Sequence, residues 1–346
     1  MAWQLVGELQ GHTGAVNCLA AEVDVLASGG EDGSVRLWDV AAGRSTRALL
    51  SPGKRPVNAV CIGRGGCEHF LIAAAGREVF AYDLRAPGMV LREPAVPSMG
   101  RAREEVSTLA LDASGRFVSI GDDSGEVRLV DLDGEDQPPE LQASHGSICS
   151  CVAFRPAAGL EMLSAGMDAC IVRWDGTTGA AVRSWNLATQ LGADETQLVN
   201  PRHVHSLAYA PGGDCFAAAL GDGSVEIRGS SEGELLAAEE AHRAAASHVL
   251  FVPSLAHLLP GGGGAMPLIS AGDDCELRVW AVRAEAAADG TRGRMSMTAA
   301  GSVSLREKPN WIALCQGVAC VADTSEHVSL YRLDPLAAGM GQMDLG

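Results

Sequence analysis

The segment Leu26-Ala27-Ser28-Gly29-Gly30-Glu31-Asp32-Gly33-Ser34-Val35-Arg36-Leu37-Trp38-Asp39 returns in loosened copies around Asp123, Asp168, Asp222 and Asp274. Self-similarity at a period of about 40 to 50 residues means that one supersecondary unit has been duplicated, and such units bury their apolar faces by stacking on one another. Each copy reads as a short apolar strand, a tight Asp-Gly or Gly-Asp-Asp turn and a second strand that alternates apolar and polar residues, which is the signature of a hairpin. The residues that end the second strand align as Trp38, Tyr82, Val130, Trp174, Arg228, Trp280 and Tyr331. Seven units follow, with loops of varying length between them.

Another apolar segment, introduced by a His, precedes several hairpins: Gly11-His12 before Val16, His145 before Ile148, and His242 before Val249. These residues resemble the WD40 family, whose units carry a Gly-His pair, a strand, an Asp-containing turn and a Trp-Asp end. The resemblance implies an all-β, seven-bladed propeller. It also implies a hydrogen-bonded structural tetrad in each of three units: His12, Ser28, Asp32 and Trp38; His145, Ser164, Asp168 and Trp174; His242, Ser270, Asp274 and Trp280. The chemistry is sound, because a buried indole N–H needs an acceptor and a buried carboxylate needs donors. Repetition marks these residues as structural, since an active site occurs once. Units 2, 5 and 7 depart from the pattern at Gly76-Arg77, Arg228 and Thr324-Ser325, and are expected to be held by packing alone.

The termini test closure independently. After the strand ending near Leu333, the segment 335–346 has no strand pattern and reads as a flexible tail, so the seventh unit lacks its outer strand. At the other end, residues 3–9 alternate like a strand. The expected solution is that this N-terminal strand completes the last blade, closing the ring and removing an exposed edge. Residues 1–346 then form one propeller domain.

Composition bounds function. No apolar run approaches the roughly 18 residues of a membrane helix, and Met1-Ala2-Trp3-Gln4 does not begin a signal peptide, so a soluble, intracellular protein is expected. The ten cysteines are scattered singly. They read as packed thiols, and neither Cys149-Ser150-Cys151 nor His203-Val204-His205, each pair taken as lying on one strand face, has metal-ligand partners at recognisable spacing. Gly261 to Gly264 lacks the Lys-Ser/Thr of a phosphate loop, and no nucleophile elbow or metalloprotease helix occurs. No enzyme, cofactor or metal is expected.

Partners are proteins. A formal charge of −17 argues against a nucleic-acid backbone. The turns between second and third strands share one face of the ring with the connections between blades, and there Glu31, Asp122, Asp194, Glu195 and Asp273 are candidates for holding a basic peptide such as a histone tail. The opposite face carries a different signal, because the second unit ends Tyr82-Asp83-Leu84-Arg85. In the WD40 family a Trp-Asp-x-Arg end, with aromatic variation at its first position, marks receptors that dock on the DNA-damage-binding adaptor of cullin-4 ubiquitin ligases. The resemblance therefore implies a non-enzymatic substrate receptor, monomeric outside its complex, that docks through Tyr82, Asp83 and Arg85. A guanidinium leaving a blade can make several directional hydrogen bonds to such a partner.

Overall fold

The computed structural model describes residues 2–134, 138–190, 201–259, 264–285 and 294–334. Strand β1 (Ala2–Gln10) comes first in the chain and last in the ring. Blade 1 is β2 (Val16–Glu22), β3 (Val25–Gly30), β4 (Ser34–Asp39) and β5 (Arg44–Leu50), and blade 2 is β6 (Val57–Ile62), β7 (Phe70–Ala75) and β8 (Glu78–Asp83). A short β9 (Val90–Leu91) precedes blade 3, which is β10 (Val106–Leu111), β11 (Phe117–Asp122) and β12 (Val127–Asp131). Blade 4 is β13 (Cys149–Phe154), β14 (Glu161–Gly166), β15 (Cys170–Asp175) and β16 (Ala180–Asn186); blade 5 is β17 (Val204–Tyr209), β18 (Cys215–Leu220), β19 (Ser224–Gly229) and β20 (Leu235–Glu240). Blade 6 is β21 (Ala246–Phe251), β22 (Met266–Gly272), β23 (Glu276–Ala284) and β24 (Met295–Ser304), and blade 7 is β25 (Pro309–Cys315), β26 (Val318–Asp323) and β27 (His327–Asp334).

The fold is a seven-bladed propeller closed by its N-terminal strand. β1 pairs antiparallel with β27, from Ala2 opposite Asp334 to Gln10 opposite His327, and supplies the outer strand of blade 7. Leu9 and Val16 then pack with Cys320, Val328 and Leu330 in a single cluster that seals the seam between blades 7 and 1.

Blades 2 and 3 differ from the others, because each forms a three-stranded sheet among the described residues. In blade 2 the place of a fourth strand is taken raggedly, by bridges of Ala81 to Val96 and of Glu78 to Arg101. Pro87, Pro94 and Pro97 lie in this stretch and cannot donate to a ladder, which is why no regular strand forms. The same connection first detours to blade 1, where β9 adds a fifth, parallel strand beside β5.

All seven innermost strands share one β-bulge. The skipped residues are Asn17, Asn58, Ser107, Ser150, His205, Ser247 and Asn310, a ring of hydrogen-bonding side chains. Several of them tie one blade to the next through the carbonyl just before the neighbour's bulge. Asn17 Nδ2 donates to Val57 O at 3.3 Å, Ser107 Oγ to Cys149 O at 2.7 Å, Ser150 Oγ to Val204 O, and Asn310 Nδ2 to Val16 O at 2.9 Å across the closing seam. A bulge frees a residue from the ladder and re-aims its side chain; here it does so at the same height in every blade.

The bulge also corrects two expectations drawn from strict alternation. Cys149 packs against blade 3 with Val127 and Leu129, whereas Cys151 packs toward blade 5 and its thiol reaches Leu207 O, so the two thiols do not share a face. His205 is itself the skipped residue of its strand, which takes it out of the simple alternation with His203.

Candidate functional site

The three sets of His, Ser, Asp and Trp come together inside blades 1, 4 and 6. In blade 4, Trp174 Nε1 donates to Ser164 Oγ at 2.8 Å, Ser164 Oγ lies 2.7 Å from His145 Nε2, and His145 Nδ1 lies 3.2 Å from Asp168. Blades 1 and 6 repeat this, with Trp38 to Ser28 at 2.8 Å and Trp280 to Ser270 at 2.9 Å. The direction of the chain is forced. Indole can only donate, so the single serine proton goes to His Nε2, and the His proton must sit on Nδ1 facing the carboxylate. Each Asp is held in turn by backbone N–H groups, including Cys170 N for Asp168 at 3.0 Å. For Asp32, burial alone would raise the carboxyl's pKa, but hydrogen bonds from His12, Ser34 and Thr13 outweigh it and hold it below the ordinary carboxylate range.

Blade 5 is not held by packing alone. Arg202, in the connection leading into β17, donates to Asp222 at 2.7 Å and also to Glu226. Glu226 accepts a second hydrogen bond, at 2.6 Å, from Arg228, which stands where other blades have Trp and also donates to Gly233 O at 2.9 Å. Glu226 and Arg228 are each 2% exposed. Four residues of alternating charge thus occupy the path taken elsewhere by a tetrad whose only charge is its Asp carboxylate. Nothing in the repeat pattern announced this, although the Glu226-x-Arg228 pair on one strand face was visible. Polar ties serve blades 2 and 7 as well: Tyr82 donates its hydroxyl to Leu50 O, Arg55 pairs with Glu78, and buried Asp323 accepts Ser325 N at 2.8 Å.

The face bearing the Asp turns is less open than its composition suggests. Asp122 is 1% exposed and accepts from the backbone of Arg103, Glu104, Ser124 and Glu126 and from the Ser124 hydroxyl. Asp273 pairs with Lys308 at 2.7 Å. Glu31 is exposed. Asp123 is exposed too, and burial together with the neighbouring carboxylates of Glu105, Asp122 and Glu104 pushes its pKa up. Asp194 and Glu195 lie outside the described residues, as does the segment 335–346.

On the opposite face the three docking candidates divide by burial. Tyr82 is fully buried, and burial raises its phenol to about 12. Its ring packs edge-on to Phe80 at 5.7 Å and anchors the end of β8. Asp83 ends β8 and Arg85 follows in the exit loop, where Arg85 Nη2 meets Asp83 at 2.7 Å and Arg85 N donates to the same carboxylate at 2.9 Å. These hydrogen bonds hold the Asp83 carboxyl down at about 2. The Arg85 side chain is 66% exposed. The carboxylate therefore sets the direction of a guanidinium that still has donors to offer.

Comparisons with known proteins agree with this geometry. A family model described as WD domain, G-beta repeat, matches residues 3–39. A WD repeat-containing protein 53 homolog of Dictyostelium discoideum is 24% identical over 237 residues, 64% of this chain and 63% of that protein. Ribosome biogenesis protein erb1 of Neosartorya fischeri is 37% identical over 112 residues, 32% of this chain and 13% of that one. The chain thus spans less than two thirds of the length of either relative. Among solved structures, the crystal structure of the WD40 beta propeller domain of Doa1 is similar with a TM-score of 0.71, covering 96% of this chain and 97% of that one at 17% identity. At that identity the likeness shows the fold.

Proposed function

We propose that this seven-bladed WD40 propeller is a substrate receptor that docks on the DNA-damage-binding adaptor of cullin-4 ubiquitin ligases through Arg85. A WD40 propeller is a protein-interaction scaffold. The observation that carries the finer reading is the Arg85 guanidinium, 66% exposed yet fixed in direction by Asp83. An exposed Arg normally loses side-chain entropy when a partner immobilises it, and fixing it beforehand lowers that cost. Tyr82 contributes from below, by anchoring the strand end from which the Asp83–Arg85 loop leaves. The alternative, a reader of basic peptides on the Asp-turn face, draws on fewer free carboxylates, since Asp122 is consumed by internal donors and Asp273 by Lys308. The test is a pull-down of the purified adaptor by wild type and by Arg85→Ala, with circular dichroism on both. Capture by wild type and loss in the folded variant is the expected outcome. Equal capture by both would overturn the role of Arg85.

A further inference from the structure

We propose that the outer wall of blades 7 and 1 is the apolar half of the docking surface whose polar half is Arg85, and that it takes a protein surface apolar at its centre and acidic at its edge. This deepens the reading above and rests on it. Among the described residues, eight large hydrophobic side chains are exposed, and six lie in this sector of the ring: Leu5, Val6, Met89 and Val90 on or beside its outermost strands, and Val23 and Val25 at the turn between the two innermost strands of blade 1. Isolated exposed apolar residues need no explanation, but their concentration on one sector of a ring does.

The backbone shows why they face outward. In β1 the register shifts between Leu5 and Gly7, so two consecutive apolar residues, 40% and 45% exposed, escape the alternation that would have turned one of them inward. Beside β1 lies β5, and on β5 the detour of the blade 2 connection lays down β9, presenting Met89 at 71% and Val90 at 47% exposure. Arg47 on β5 donates to Leu84 O, which fixes the Arg85 loop against the same wall. Val23, 83% exposed, tips the β2–β3 turn on the face that carries Arg85, and it holds φ at 34°, a value that costs a β-branched residue energy.

Charge selects the partner. In a chain of formal charge −17, Arg44, Arg85 and Arg92 are exposed around this wall, with Glu93 beside them and Asp24 at the β2–β3 turn, where it accepts from Gln316 Nε2 at 3.1 Å, as exposed acids. Neighbouring carboxylates are already engaged, Asp39 by Ala42 N, Asp83 by Arg85 and Glu8 by Arg306. Apolar anchors ringed by arginine are the composition of an interface centre and rim.

The experiment measures affinity for the purified cullin-4 adaptor in wild type, Arg85→Ala, Val6→Glu with Met89→Glu, the milder Met89→Ala, and Val182→Glu on blade 4 as a control, each checked by circular dichroism. We expect the double variant to bind at least about tenfold more weakly, Met89→Ala to weaken binding measurably, and the control to match wild type. If the adaptor binds wild type and Arg85→Ala loses it while the wall variants bind normally, the wall is not part of the surface and the receptor reading stands. If wild type does not bind, both are overturned.

Discussion

Blades 4 and 5 are neighbours that solve one problem with different chemistry. Each must connect a turn at one face to the third strand through the blade interior without leaving a polar group unmet. Blade 4 uses a chain of mostly neutral groups, from Trp174 through Ser164 and His145 to Asp168. Blade 5 uses Arg228, Glu226, Arg202 and Asp222, which alternate in charge, and has Ala218 opposite Glu226 where blade 4 has Ser164 opposite Val172. What the fold requires at this place is a completed chain of donors and acceptors, and the residue types are free to change together.

The largest effects should come from breaking either chain at one link. Trp174→Ala removes a fully buried indole and leaves Ser164 without its donor, which should cost about 3 to 5 kcal/mol. Glu226→Ala should cost about as much, because it removes the carboxylate that two guanidinium groups inside the blade share. Denaturant titration of both variants checks this. A loss of under about 1 kcal/mol for Glu226→Ala would mean that the ionic chain is incidental and that packing holds blade 5 after all.

How far the sequence revealed this contrast depends on what repeats. The turn aspartates and the Trp38, Trp174 and Trp280 ends recur at fixed offsets, so the units, their number and the closure by β1 were legible. Arg228 was legible only as a departure, because a covarying replacement of His, Ser and Trp by Arg, Ala and Arg has no periodic signature. The polar ring from Asn17 to Asn310 stayed hidden for a related reason. Its members differ in type, and a bulge breaks the period-2 alternation by which strand faces are read, which also misplaced Cys149 and Cys151. Among the docking candidates, the exposure of Arg85 was an open matter of loop geometry, and the burial of Tyr82 follows from its place in the apolar cluster between blades 1 and 2.

Replacing a chain should matter less than cutting it. In Arg202→Met, Glu226→Leu, Arg228→Met, the desolvation of three charges is removed together with their attraction, while Asp222 keeps Ser224 N and Oγ as donors. Apolar replacement of a buried ionic cluster is often neutral or stabilising, so we expect stability unchanged or raised by about 1 to 2 kcal/mol. A marked loss in the triple variant would show that the charges also fix blade register, which packing of the same volume cannot do.

The smallest effect, and the sharpest discriminator between the two chemistries, is the response to acid. The neutral chain works only while His carries its proton on Nδ1. A second proton on Nε2 would point at a serine oxygen whose own hydrogen then has no acceptor. For both His145 and His242, burial lowers the folded-state pKa, against the opposing pull of Asp168 and Asp274. A histidine whose folded pKa lies below its unfolded value of about 6.5 contributes stability that is complete above that pH and is lost as pH falls through the window beneath it. In blade 5, burial opposes the charge of Arg202, but the pull of Glu226 and Asp222 overcomes it and raises the pKa further, so this cation keeps its charge throughout. Amide exchange read by mass spectrometry between pH 7.5 and 5, corrected for intrinsic rates, should therefore show β13–β15 and β21–β23 losing protection before β18 and β19, which carry the ionic chain; β17 is left out of the comparison because burial also lowers the pKa of its His205. Uniform loss across the three blades would mean that the ring opens as one unit and that the local chemistry of each blade does not set its stability.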